Sequence, residues 1–208
     1  MTEITHVIFD FDGTIADSFH VFIEVAKELF DIDEALTDEF LEELRGLRRD
    51  EVMERLDITR LQALWSYRKG RRLFAERIDE VSVFDGMPEA LDVLQDSYTL
   101  GVLTDNDKDV VESFFDDHDL ALFDFVMESS VFQSKTWSLQ EVIRREGIDA
   151  ERVVYVGDQI TDIESAHRAG CEAIGVDWGY NTGALLRSAD PERLASSPEE
   201  LSSMIQSL

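Results

Sequence analysis

The chain has 208 residues, enough to bury one core with or without a large insertion. Its 46 acidic residues against 19 basic ones leave a formal net charge of −27, which argues against the basic surface that nucleic acids and anionic membranes need. No apolar run approaches a membrane span, no charged-then-apolar leader precedes the first apolar run, and the single Cys171 can close no internal disulfide, so a reducing cytoplasmic setting is expected.

Val7 to Phe9 form a short apolar run that ends at Asp10, with Asp12, Gly13 and Thr14 close behind. Such a run reads as a buried strand, and in an α/β protein ligands bind beyond the carboxyl ends of such strands. Strand carboxylates at i and i+2 share a face, so Asp10 and Asp12 would repel each other unless a metal cation or a shared proton relieves them. Either arrangement suits a nucleophile paired with a general acid/base for phosphoryl transfer. A polar turn would account for Asp12, Gly13 and Thr14. It accounts poorly for Asp10, because an ionisable group at the mouth of a central strand is costly unless used.

From about residue 16 to residue 84 no strand-like run appears. Phe19, Phe22, Ile23, Ala26, Leu29 and Phe30 recur at helical spacing, as do Phe40, Leu41, Leu44 and Leu47, then Val52 and Leu56, then Leu61 and Leu64. This predicts a helical insertion with hinges near 16–18 and 83–87. Trp65, Tyr67, Leu73 and Phe74 are expected to pack inside it or against the rest of the chain. Arg45, Arg48 and Arg49 flank Gly46 between two helical patterns. They either reach a phosphorylated ligand or pair with Glu42, Glu43, Asp50 or Glu51 on a solvated face. His20 lies near the first hinge; His6, His118 and His167 share no ligand spacing with it.

Four further apolar runs follow, at Leu100 to Leu103, Phe125 to Met127, Val153 to Val156 and Ala173 to Val176, with helical patterns between them. Alternating strands and helices predict a parallel sheet covered on both faces. The second run ends in Thr104, Asp105 and Asn106. The Thr104 hydroxyl can donate to a phosphate oxygen, while Asp105, Asn106 or Asp107 can cap the helix starting near Lys108. Lys135, one of only four lysines, precedes the pattern Leu139, Val142, Ile143 and would neutralise phosphate as a point charge. The run at 153–156 leads into Gly157, Asp158 and Asp162, a spacing that can hold Mg²⁺ through one direct and one outer ligand, or that can serve a helix start. Cys171 reads as packing, Trp178, Tyr180 and Asn181 as shapers of a loop, and Ser197-Pro198-Glu199-Glu200 as a capping box opening a last helix.

Taken in order, Asp10-x-Asp12, Thr104, Lys135 and Gly157-Asp158-x-x-x-Asp162 resemble the four motifs of the haloacid dehalogenase superfamily. The stretches DGTIADS, FDGMPEAL, GVDWGYNT and SSPEEL resemble its phosphoglycolate-phosphatase-like branch. The resemblance implies an α/β fold with a Rossmann-like parallel sheet core at 1–15 and 85–208 and an inserted helical cap domain at 16–84. It implies a Mg²⁺-dependent phosphatase acting on a small phosphorylated metabolite, with phosphoglycolate the first substrate to test. Asp10 would be the nucleophile and Asp12 the acid and then the base. Asp10, the Asp12 backbone carbonyl and Asp158, with Asp162, would hold the metal, while Thr104, Asn106, Lys135 and Arg45 would bind substrate. A phosphosugar mutase would use the same core residues, and a weakly active binding protein is the alternative from outside enzymology. Where relatives carry Asn after the motif-two hydroxyl, Asp105 stands here with Asn106 one place later. Lys135-Thr136 and Asp158-Gln159 also depart from the family pattern. With fifteen arginines against four lysines, the acidic composition resembles that of salt-adapted haloarchaeal proteins.

Overall fold

The computed structural model describes residues 3–32, 36–129 and 134–208. Strand β1 (His6–Phe9) runs into a tight turn, and the two-residue strand β2 (Ala16–Asp17) follows. Helices α1 (Phe19–Phe30), α2 (Asp38–Arg45), α3 (Arg49–Arg55) and α4 (Arg60–Ala75) come next, before β3 (Ser82–Val83). The chain then alternates: α5 (Met87–Gln95), β4 (Thr99–Thr104), α6 (Lys108–Asp117), β5 (Phe125–Glu128), α7 (Lys135–Glu146) and β6 (Val153–Gly157). It closes with α8 (Ile160–Ala169), β7 (Glu172–Val176), α9 (Gly183–Arg187), β8 (Arg193–Ala195) and α10 (Pro198–Gln206).

Six strands make one parallel sheet in the order β5-β4-β1-β6-β7-β8. β1 is central, and the chain leaves it first toward β4 and β5 and later toward β6, so the sheet reverses its direction of growth there. That reversal opens a crevice at the carboxyl ends of β4, β1 and β6, where an open α/β sheet binds ligands. Side chains alternate across the sheet: Val7, Phe9, Val102, Val154 and Val156 enter one core, while Ile8, Leu103 and Tyr155 enter another beneath Leu139 and Val142 of α7. Both faces are therefore buried, which is why these strands read as unbroken apolar runs.

The five sequence-read strands match β1, β4, β5, β6 and β7. β8 went unread because Arg193-Leu194-Ala195 is too short and mixed for a periodicity signal. β2 and β3 pair antiparallel, Ala16 with Val83 and Asp17 with Ser82, at the two ends of the helical stretch. Trp65 departs from expectation: it is 84% exposed, with Leu61 at 68% and Leu64 at 54%. α4 packs on α1 through the side that carries Gly70, Leu73 and Phe74, where a Cβ at Gly70 would come within 3.2 Å of Leu29. At 100° per residue, Leu61, Leu64 and Trp65 fall on the opposite side. Cys171 is packed into the core, and burial pushes its thiol up to about 12. At α10 the Ser197 hydroxyl accepts from the Glu200 N–H, while the Glu200 carboxylate reaches back to the Ser196 N–H, one residue before the cap. No helix among the described residues is long and apolar enough to cross a membrane.

Candidate active site

Asp10 leaves β1 at the crevice with its N–H on the Val156 carbonyl at 2.8 Å, which fixes it beside β6. One carboxylate oxygen accepts the Phe11 N–H at 2.9 Å and the other accepts from Lys135 Nζ at 2.7 Å. Lys135 is the first residue of α7, whose Ser134 cap accepts the Trp137 N–H at 3.2 Å, and the same ammonium also donates to Asp162 Oδ1. Asp162 sits in the first turn of α8, and its second oxygen accepts the Gln159 N–H at 2.8 Å. It therefore serves the helix start and the cluster together. Asp158 follows the end of β6. Its carboxylate accepts from the Tyr180 N–H at 2.6 Å and from the Thr14 hydroxyl at 3.3 Å.

Asp10, Asp158 and Asp162 are buried, and each offers an oxygen within 4.8 Å of the others. Burial, reinforced by the neighbouring carboxylates, raises Asp10 well above the ordinary range and raises Asp158 to about 8. Burial also works to lower Lys135, but the Asp10 and Asp162 carboxylates outweigh it and hold the ammonium charged. Ionised together, the three buried carboxylates against one ammonium would leave a deficit of two positive charges. Hard oxygen donors with that deficit fit Mg²⁺.

Asp12 faces a different set of groups. Its oxygens accept from the Ser18 hydroxyl at 2.7 Å and from Asn106 Nδ2 at 2.6 Å. Burial raises this carboxyl to about 6, and the two hydrogen bonds temper the rise. The Thr104 hydroxyl, at the end of β4, accepts the Asn106 N–H at 3.0 Å and, among the described residues, has no acceptor for its own hydrogen, which it can give to a ligand. Asp105 turns its carboxylate to the Ser129 hydroxyl. The dihedral room for this crowding comes from glycine. Gly13 has φ 73°, and a Cβ there would lie 2.2 Å from an Asp158 oxygen; one at Gly179 would lie 2.2 Å from the Gly13 carbonyl.

Arg45 lies outside the acid cluster. Its guanidinium donates to Glu42 at 2.8 Å, to the Gly179 carbonyl at 3.1 Å and to the Asp177 carbonyl at 3.4 Å. Arg48 pairs with Glu164 of α8 at 2.9 Å, not with the nearby acids that its sequence neighbourhood offered. His20 meets the Glu80 carbonyl at 3.1 Å, a link between the two hinge segments.

Two supporting residues, Ser18 and Tyr155, escaped the sequence reading, and a third, Tyr180, was read only as a shaper of its loop. Ser18 looks like a helix cap, yet at the start of α1 it makes no side-chain cap bond and gives its hydroxyl to Asp12 instead. Tyr180 reaches that hydroxyl at 3.0 Å and sets its ring against Phe19 and Phe22 of α1. Tyr155 lies below Lys135, whose Nζ is 5.6 Å from the ring centroid. The position of Ser18 before a helical run was the available signal; the two tyrosines meet the site only through folding.

A parallel sheet with a buried acid-and-lysine cluster at the carboxyl ends of its central strands defines an α/β enzyme. Residues 7–176 match the haloacid dehalogenase-like hydrolase family, and the chain belongs to that family. The chain is 29% identical over 200 residues to a phosphoglycolate phosphatase of Synechococcus elongatus, covering 94% of each chain. Among solved structures, a predicted phosphatase from Clostridium acetobutylicum shares the fold over the full length of both chains, with TM-score 0.85 and 24% identity. A candidate β-phosphoglucomutase from Thermotoga maritima shares it at TM-score 0.66 and 22% identity, covering 99% of this chain and 100% of its own.

Proposed function

We propose that this chain, a phosphoric monoester hydrolase by its family and its relatives, is a Mg²⁺-dependent phosphatase of a small phosphorylated metabolite that works through an aspartyl-phosphate on Asp10. The observation that carries this reading is the buried cluster of Asp10, Asp158, Asp162 and Lys135 with its deficit of two positive charges when ionised. Asp10 and Asp158, with Asp162 and the Asp12 backbone carbonyl, would hold the ion. When bound, Mg²⁺ supplies positive charge to the acids and to the phosphoryl oxygens.

The chain's own residues do the rest. Lys135 and the Thr104 hydroxyl hold phosphate oxygens, and an Asp10 oxygen forms a bond to phosphorus as the ester bond to the leaving alkoxide breaks. Asp12, oriented by Ser18 and Asn106, gives its proton to that alkoxide. It then takes a proton from the water that cleaves the aspartyl-phosphate, which returns Asp10 and releases phosphate. Asn106 acts on this reading by aiming Asp12, and Arg45 by tying α2 to the 177–182 loop. We take residues 16–84 as the helical cap over a core of 1–15 and 85–208; its closeness to the site favours a small substrate. Phosphoglycolate is the first candidate, because the relatives that align over nearly the whole chain carry that name.

The test is release of inorganic phosphate from phosphoglycolate, glucose 1-phosphate and an aryl phosphate in molar KCl, with and without Mg²⁺, beside Asp10→Asn. We expect Mg²⁺-dependent release, fastest on phosphoglycolate, and a folded, inactive variant. Isomerisation of the sugar phosphate without release would mark a mutase. Activity of Asp10→Asn near the parent's would remove Asp10 as nucleophile.

A further inference from the structure

Among the described residues, three buried side-chain polar atoms lack a hydrogen-bond partner: Arg71 Nε, Ser138 Oγ and the Tyr155 hydroxyl. Of these, Tyr155 has its ring beside Lys135 of the acid cluster. It is the third residue of β6, fully buried, and faces α7 together with Leu139 and Val142. An unpartnered buried hydroxyl is costly compared with the phenylalanine that would fill the same space, so its retention needs a reason. Lys135 offers one. Its ammonium carries three N–H donors and uses two, on Asp10 and Asp162. Its Nζ lies 5.6 Å from the centre of the Tyr155 ring. Lys135 thus has one N–H to spare close to a phenol whose oxygen makes no hydrogen bond of normal geometry, although the two side chains already interact.

We propose that Tyr155 is a positioning residue for Lys135: its hydroxyl accepts the third N–H of the ammonium once a phosphate oxygen draws Lys135 away from Asp162. The inference rests on the reading of Lys135 as a phosphate-holding residue. Lysine sits at the end of a flexible four-carbon stem, and an ammonium moving from a carboxylate to an incoming phosphate loses one of its two anchors. The phenol supplies a replacement on a rigid ring rooted in the central sheet. Such an anchor helps the bound state and the transition state alike, so its loss raises KM and leaves kcat nearly unchanged.

The experiment compares the parent, Tyr155→Phe and Ser138→Ala in molar KCl with Mg²⁺. It measures the Kd for inorganic phosphate by calorimetry, kcat and KM for phosphoglycolate, and Tm. Tyr155→Phe is expected to weaken phosphate binding and raise KM about tenfold, as loss of a hydrogen bond to a charged group does. Its kcat should stay within about twofold and its Tm at or above the parent's. Ser138→Ala, which removes another unpartnered hydroxyl of α7, is expected to leave the phosphate Kd unchanged. A Tyr155→Phe protein with parental phosphate affinity, or one that loses kcat at constant KM, overturns the proposal. A parent that binds no phosphate overturns instead the phosphatase reading on which it rests.

Discussion

At the scale of single residues, the two aspartates of the first motif are separated by their surroundings more than by their distance in sequence. Asp10 faces a cation and two acids, whereas Asp12 is gripped by a hydroxyl and an amide and has its carboxyl raised to about 6 by burial. A carboxyl near neutrality serves as acid and base in turn. Asp12→Asn is therefore expected to slow alkyl phosphate esters by roughly 10²- to 10⁴-fold. An aryl phosphate, whose leaving group needs no proton, should still give a rapid burst of phenol followed by slow turnover, because the intermediate then lacks its base. Absence of that burst in a stopped-flow trace would separate Asp12 from the second step. The glycines allow a sharper test of packing. Gly179→Ala places a methyl 2.2 Å from the Gly13 carbonyl, a backbone atom that cannot swing away. It should cost about 1–3 kcal/mol in urea unfolding and weaken Mg²⁺ binding by shifting Asp158. Gly147→Ala at φ 67° in open space should cost only about 1 kcal/mol and leave the metal alone.

At the scale of elements, the helices between β2 and β3 are fastened to the sheet by arginines. Arg71 of α4 donates to Asp107, beyond the end of β4, at 2.5 Å and to Glu128, the last residue of β5, at 2.8 Å, and Tyr67 reaches the Asp105 carbonyl at 3.3 Å. Arg48 and Arg45 fasten the other side, to α8 and the 177–182 loop. Removing Arg71 should lower stability by about 1 kcal/mol after solvent screening. It should also speed amide exchange across α4 while β1, β4 and β6 stay protected, which hydrogen-exchange mass spectrometry would reveal; unchanged exchange in α4 would show that its apolar contact with α1 alone holds it. None of these tethers could be read from sequence, since arginine offers no periodicity and its partners lie far along the chain. The sheet was legible for the opposite reason: a strand buried on both faces must be apolar throughout, and its register carries Asp10, Thr104 and Asp158 to one end without further instruction. Lys135 was visible through the helix that it starts. Ser18, Tyr155 and Tyr180 were not, because hydroxyls at a helix start, in a strand and in a loop have ordinary local explanations that only the fold displaces.

At the scale of the whole molecule, charge opposes compactness. A net charge of −27 on 208 residues repels itself across the surface, and the local ion pairs give little back. Exposed pairs such as Arg48 with Glu164 and Arg55 with Glu43 contribute little and are themselves weakened by salt. The two effects of salt thus have opposite signs, and the excess of acids decides between them. Screening shortens from about 10 Å at 0.1 M to about 3 Å at 1 M, which removes repulsion between the many acids that are neighbours but not partners. Tm is therefore expected to rise steadily from 0.1 to 1 M KCl and then level off. KM for an anionic phosphate ester should fall over the same range, as the field that repels the substrate is screened. Calorimetric scans and initial rates across that series test both. A Tm that stays flat or drops would mean that the paired arginines, few as they are, outweigh the unpaired acids.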